Sequence, residues 1–235
     1  MSRISGNLQA VLRSIALAAH QARREPADVA LLAVSKTWSA EDIVEAARAG
    51  QRAFGENYEQ EAVQKKEEVC RLAPDIPLEW HFIGPIQSNK TRAIAAHFDW
   101  VHTVDREKIA RRLSEQRPAH LPPLNVCLQV NISHQGTKNG VAPEGVLALA
   151  NAVSALPRLR LRGLMAIPAP EDDEEKQRAP FQQLKQCYTL LREKGFRLDT
   201  LSMGMSADMV PAIREGATIV RIGTAIFGAR NHDDT

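Results

Sequence analysis

Eight short apolar runs alternate with amphipathic stretches along almost the whole chain, and this alternation restricts the fold more than any other feature. The runs centre on residues 31–35, 52–55, 79–83, 100–103, 124–131, 159–167, 200–203 and 218–222. They are rich in branched and small apolar residues and end in polar or glycine-containing turns, the pattern of strands buried on both faces. Helical periodicity fills the gaps at 40–49, 57–72, 88–97, 106–116, 144–155, 174–194 and 208–215. A leading amphipathic helix precedes them, with Ile4, Leu8, Val11, Leu12 and Ile15 at helical spacing. Strict βα alternation implies a parallel sheet, and eight units imply a closed (β/α)8 TIM-type barrel with an extra N-terminal helix. An open doubly wound sheet satisfies the same alternation.

With 235 residues, the chain approaches the about 250 typical of such a barrel, so residues 1–235 are expected to form one domain. A net charge of +2 gives no global electrostatic signal for nucleic acid or an anionic membrane. No apolar stretch is long enough to span a bilayer. Arg3 and the alanine-rich segment up to Ala19 have the outline of a signal peptide, but Arg13 interrupts the apolar centre, so a retained helix is expected. Cys70, Cys127 and Cys187 are widely separated and odd in number, which suits a reducing cytoplasm better than a disulfide framework. Pro211 falls inside the last crossover helix, which is compatible with a helix starting at Asp208.

The chemistry starts at Lys36, which closes the run Val29-Ala-Leu-Leu-Ala-Val-Ser-Lys36. It shares strand parity with Leu32 and Val34, so a pleated strand aims it where they point. Ser39 with Asp42 predicts a capping box directly afterwards. A lysine between a buried strand and a helix sits where α/β folds place their reactive groups, and desolvation there frees an amine for Schiff-base formation. A lysine that snorkels to the rim is the ordinary alternative.

Ile219-Val-Arg-Ile-Gly-Thr-Ala-Ile-Phe-Gly228 ends a strand at Arg221-Ile222 and opens a short helical segment at Gly223-Thr224. Glycine, a hydroxyl and free helical N–H groups suit a phosphate, and eight-stranded barrels bind phosphate after strands 7 and 8. Ser206, in Ser202-Met-Gly-Met-Ser206, falls in the same corner; taken alone it reads as a helix cap. Arg221 lies in a strand so apolar that it must find a partner or a ligand. Phe54-Gly-Glu-Asn57 and His81-Phe-Ile-Gly-Pro-Ile-Gln-Ser-Asn-Lys90 each run from strand end through glycine to a helix start, with Asn57 and Ser88 as expected caps. The seven histidines (20, 81, 97, 102, 120, 134 and 232) show no metal-binding spacing, so no metal site is expected. No P-loop, dinucleotide fingerprint or nucleophile elbow is present.

Ala33-Val-Ser-Lys36, Phe54-Gly-Glu-Asn57, His81-Phe-Ile-Gly-Pro-Ile-Gln-Ser-Asn-Lys90, Gly163-Leu-Met165, Ser202-Met-Gly-Met-Ser206 and Arg221-Ile-Gly-Thr-Ala-Ile-Phe-Gly228 together resemble the pyridoxal phosphate homeostasis protein family over essentially the whole chain. The resemblance implies a barrel like the N-terminal domain of bacterial alanine racemase, with pyridoxal 5′-phosphate held as a Schiff base on Lys36. It implies that Arg221 faces the pyridine nitrogen, that Ser206, Gly223 and Thr224 hold the phosphate, and that Asn57, His81 and Met165 lie around the ring. Trp38, directly after Lys36 and Thr37, departs from the polar residues of the family. Members of that family are described as carriers or regulators of the cofactor without an established reaction of their own.

A cytoplasmic, monomeric cofactor carrier is therefore expected, handing pyridoxal 5′-phosphate to apo-enzymes. An amino-acid racemase and, more remotely, a Schiff-base aldolase are the competing classes. Racemisation needs a second acid–base group opposite Lys36. The chain has only Tyr58 and Tyr188 as tyrosines and ends at Thr235, so neither that group nor the domain carrying it in racemases is expected here.

Overall fold

Parallel pairing runs unbroken around eight strands in the computed structural model, which describes residues 2–133 and 139–229. After α1 (Arg3–Gln21), the first half comprises β1 (Ala30–Val34), α2 (Ala40–Arg48), β2 (Ala53–Glu56), α3 (Glu59–Leu72), β3 (Glu79–Phe82), α4 (Thr91–His97) and β4 (Trp100–Val104). The second half comprises α5 (Glu107–Gln116), β5 (Leu124–Gln129), α6 (Val146–Ser154), β6 (Leu159–Met165), α7 (Glu174–Glu193), β7 (Thr200–Ser202), α8 (Met209–Arg214), β8 (Ile219–Ile222) and α9 (Thr224–Phe227). β8 closes onto β1 through Ala30↔Ile219, Leu31↔Val220, Leu32↔Arg221 and Ala33↔Ile222. That closure removes the open doubly wound alternative.

Strand parity separates two apolar regions. Leu31, Ala33, Phe54, Val101, Val126, Leu128, Leu164, Val220 and Ile222 belong to the main core, between sheet and helices. Trp100, Cys127 and Met165 form a separate small cluster, from the opposite faces of β4, β5 and β6. The barrel interior is thus a packed layer, and its polar members must find partners there. The register slips between Val126 and Cys127, which pair with Leu161 and Gly163. Arg162 is the extra residue of this bulge. Its guanidinium carbon lies 4.5 Å from the Trp100 ring centroid, and its Nη1 donates to Asn125 Oδ1 at 3.0 Å.

The leading helix is part of this fold. Ser2 caps α1 by accepting from the Ser5 N–H, and Ile4, Leu8, Val11, Ile15, Ala18 and Ala19 are buried along one stripe. The helix packs on α8 and α9. Ser39 and Asp42 form the expected capping box of α2, and Pro211 sits in the first turn of α8 behind Asp208 as its cap. Two expected caps fail. Tyr58, not Asn57, precedes α3 without a side-chain cap, and α4 starts only at Thr91, behind Lys90. Ser88 instead offers its carbonyl to Thr91 Oγ1 and Arg112 Nε. Among the described residues no helix is long and apolar enough to cross a membrane, and all three cysteines are free.

Candidate functional site

Lys36 follows β1 by two residues, half-buried in a turn at the C-terminal mouth of the barrel. The residues on either side of it are fixed by α3. Ser35 Oγ donates to Glu56 Oε1 at 2.7 Å, and Lys65 Nζ donates to the Ser35 carbonyl at 2.9 Å. Lys65 Nζ also reaches Glu56 Oε1 at 2.9 Å and Glu61 Oε1 at 2.7 Å. Glu61 Oε1 in turn accepts the Thr37 N–H at 2.6 Å, and Thr37 itself holds a left-handed φ of 69°. A buried ion pair therefore holds both flanks of Lys36 in an otherwise unfavourable turn. Burial raises the Glu56 carboxyl above its ordinary value against the opposing pull of Lys65 and Ser35. Its Oε2 is buried without a partner.

β7, β8 and β1 are consecutive neighbours in the barrel, so the segments that follow them share one sector of the mouth. Ser206 is exposed in the turn between β7 and α8, and Thr224 is exposed at the first position of α9, directly after Gly223. The Arg221 N–H donates to the Gly204 carbonyl at 2.9 Å, tying the two segments together. The α9 start leaves helical N–H groups without intrahelical acceptors. Trp38 stacks on Phe227 with centroids 5.6 Å apart, so the apolar residue in the β1–α2 loop braces α9.

Arg221 is buried, 4 % exposed, below this sector. Its Nη1 donates to Ser202 Oγ at 2.9 Å and its Nη2 to the Ala166 carbonyl at 3.0 Å. Burial lowers its pKa to about 10, against the opposing charge of Asp208. Two of its five N–H donors carry these bonds, so donor capacity remains for a ligand.

On the other side of β1, Asn57 follows β2 and is half-buried. A Cβ on Gly84 would stand 2.2 Å from the Asn57 carbonyl oxygen, so only glycine lets the β3 loop lie against this turn. Gly163 has the same role lower down: its Cβ would fall 1.7 Å from the Thr200 carbonyl oxygen. Met165 is fully buried within the interior cluster. His81 is buried on β3, stacked on Trp100 at 5.3 Å, with Nε2 2.8 Å from Glu79 Oε1 and Nδ1 2.8 Å from His102 Nε2. Both its ring nitrogens are thus engaged within the protein. Among the described residues no group of three or more His, Cys, Asp or Glu side chains is placed to hold a metal ion; His134 and His232 lie outside them.

Topology therefore gathers Lys36, Ser206, Gly223 and Thr224 at one rim, with Arg221 beneath and Asn57 beside it; His81 and Met165 belong to the interior. Lys65 and Glu61 escaped sequence reasoning because a charged i, i+4 pair on a polar helix resembles a solvated face. His102 and Ser202 also escaped it, although His102 shares parity with Trp100 on a strand whose interior face is closed.

Residues 7–231 match the family model for the N-terminal domain of alanine racemase. A Pseudomonas aeruginosa protein named pyridoxal phosphate homeostasis protein is 60% identical over 232 residues, covering 99% of this chain and 98% of the relative. The chain belongs to the pyridoxal phosphate homeostasis protein family. The Escherichia coli K12 member is 53% identical, with 99% of each chain covered. Among solved structures, PipY of Synechococcus elongatus, with PLP bound, superimposes with a TM-score of 0.83 at 38% identity, covering 96% of this chain and 100% of PipY. An alanine racemase of Clostridium difficile gives 0.73 at 18% identity, with 98% of this chain and 58% of the racemase covered. That likeness is one of fold.

Proposed function

We propose that the protein binds pyridoxal 5′-phosphate in the mouth of its barrel, through a Schiff base on Lys36, and holds it for the intracellular pool. One observation carries this reading: a lysine follows β1, a buried arginine lies within the neighbouring β8, and a hydroxyl- and N–H-rich corner follows β7 and β8. Those donors match an aldehyde, a ring nitrogen and a phosphate in chemistry. Ser206, Gly223 and Thr224 take the phosphate, through hydroxyls and helical N–H groups. Arg221 donates to the ring nitrogen, and its fixed charge disfavours a proton there. Asn57 and Met165 border the ring, and His81 acts from below. When bound, the group supplies an electrophilic aldehyde conjugated to a heteroaromatic ring.

In this reading residues 1–235 are one cofactor-binding domain that works as a cytoplasmic monomer and passes the cofactor to apo-enzymes. It turns over no amino acid. The relatives' names support that reading, as does the placement of Tyr188. Tyr188 donates to the Leu198 carbonyl at 2.8 Å from α7, outside the barrel, and Tyr58 is exposed. Tyr188 is thereby committed elsewhere than opposite Lys36.

Loaded protein mixed with a pyridoxal phosphate-dependent apo-enzyme should restore that enzyme's activity, while alanine in deuterated solvent should exchange its Cα hydrogen no faster than with free cofactor. Saturable exchange abolished by Lys36→Ala would establish an enzyme instead. Thr224→Val should weaken binding of pyridoxal 5′-phosphate by about tenfold, the worth of one charge-assisted hydrogen bond. Binding of unphosphorylated pyridoxal should hardly change. Equal losses for both ligands, measured by equilibrium dialysis, would place Thr224 away from the phosphate.

A further inference from the structure

Inside the barrel the polar side chains form one continuous line. Arg221 Nη1 lies 2.9 Å from Ser202 Oγ, and Ser202 Oγ lies 2.8 Å from His102 Nδ1. His102 Nε2 lies 2.8 Å from His81 Nδ1, and His81 Nε2 lies 2.8 Å from Glu79 Oε1. The members come from β8, β7, β4 and β3, so the line crosses the interior and descends to the opposite mouth. There the Glu79 side chain is 50% exposed, on the wall of a cavity of about 670 Å³ that Asp99 and Asn125 also line.

The two ends fix the direction of every bond between them. A guanidinium only donates, and an ionised carboxylate only accepts. The hydrogen bond from His81 holds the Glu79 carboxyl below its ordinary value, and it stays ionised at neutral pH. With both imidazoles neutral, one assignment satisfies the whole line. Arg221 donates to Ser202, Ser202 to His102 Nδ1, His102 Nε2–H to His81 Nδ1, and His81 Nε2–H to Glu79. Burial lowers the pKa of both histidines, that of His102 well below its ordinary value, which favours this neutral state.

A proton added at His81, beside the Glu79 carboxylate, permits a reversal; on His102 it would be opposed by His81 and Arg221. If His81 carries hydrogens on both nitrogens, it keeps its bond to Glu79 and donates through Nδ1 to His102 Nε2. His102 must then shift its hydrogen to Nδ1 and donate to Ser202 Oγ. Ser202 accepts from both neighbours, and its hydroxyl hydrogen turns away from His102, beside the Arg221 guanidinium. A proton entering at Glu79 is thereby felt across the barrel, while His102 stays neutral and Arg221 keeps its charge. The other groups facing this line are few. Asp99 acts on His81, on which Trp100 stacks, and Arg162 acts on Glu79. Asp208 and Cys127 act on Arg221.

We propose that Glu79, His81, His102 and Ser202 are positioning residues for Arg221, and that protonation of His81 from the Glu79 mouth changes how Arg221 is presented to the cofactor's ring nitrogen. The last clause rests on the cofactor reading above; the coupling from His81 to Arg221 does not.

Nitrogen-15 NMR of cofactor-free protein tests the coupling directly. At neutral pH both histidines should be Nε2–H tautomers with bare Nδ1, and the Arg221 side-chain signals should shift with the same pH midpoint as His81. Glu79→Gln, a change at the exposed end, should move both midpoints together to lower pH, because it removes the charge that favours protonated His81. Ser202→Ala should leave the His81 midpoint in place but uncouple Arg221 from it. In loaded protein the visible absorbance should follow the His81 midpoint, and Ser202→Ala should abolish that dependence. An Nδ1–H tautomer at neutral pH, or Arg221 signals still tracking His81 in Ser202→Ala, would overturn the proposal. So would a wild-type absorbance indifferent to the His81 midpoint. A protein that takes up no cofactor would refute the proposed function, while the NMR arm would still decide the line.

Discussion

Lys36→Ala should leave a folded barrel that retains no pyridoxyl group after borohydride reduction, whereas the parent protein should carry the label on the peptide containing Lys36. The loss should be close to complete, because a covalent bond is replaced by the ring and phosphate contacts alone. The fold should survive. Ser35 and Thr37 hold the turn through a side chain, a carbonyl and an N–H that the substitution leaves in place, so the thermal midpoint should move by only a few degrees, roughly the effect of a surface change. Other lysines are poor substitutes. Lys65 is committed to Ser35, Glu56 and Glu61, and Lys90 pairs with Glu59 at 2.6 Å. A label on either of them, or on Lys138, which lies outside the described residues, would refute the assignment.

The barrel was legible in the sequence because most strand residues are buried on both faces and the helices on one, so periodicity switched between them. The errors gather at the mouth. The expected runs 124–131 and 159–167 continue past the ends of β5 and β6, at Gln129 and Met165. Residues such as Val130 and Ala166 stay buried and hydrogen-bonded beyond these ends, so composition gives no sign of where the strands stop. Asn57 was expected as a cap because its residue type suits one. Its turn is instead pressed against Gly84, a tertiary demand that local propensity does not encode.

The candidate site was legible where its chemistry sits on short segments with unusual residues, as at Lys36, Arg221 and Gly223-Thr224. Its supports were not. Strand parity aims His102 into the interior, but nothing local says that His81 and Ser202 wait on either side. Lys65, inside the polar stretch Gln64-Lys-Lys-Glu-Glu68, looks solvated, yet it is 6% exposed. The third dimension turns a surface pattern into a buried clamp.

That clamp predicts the largest loss of stability from a single side chain. Lys65→Met should lower the free energy of unfolding by about 3–5 kcal/mol, the range for removing one partner of a buried pair. Methionine fills much of the vacated space. The cost therefore comes from leaving Glu56, fully buried and already missing a partner at Oε2, without its cation. The sign of the pH dependence follows. Burial already raises the folded-state pKa of Glu56, and losing Lys65 removes the leading opposing influence. A carboxyl with a raised folded pKa binds its proton more readily in the native state, so native stability is favoured at low pH and lost as pH rises through that pKa. The variant should thus be less impaired near pH 5 than near pH 8 in urea titrations. Glu56→Gln added to Lys65→Met should recover part of the loss, because a neutral amide escapes most of the desolvation penalty. The same release frees the Ser35 carbonyl on one side of Lys36 and loosens Glu61, which holds Thr37 on the other, so cofactor capture should slow even in the fraction that stays folded. A loss below about 1 kcal/mol at both pH values, the worth of a surface pair, would show that the clamp neither stabilises the barrel nor holds the Lys36 turn.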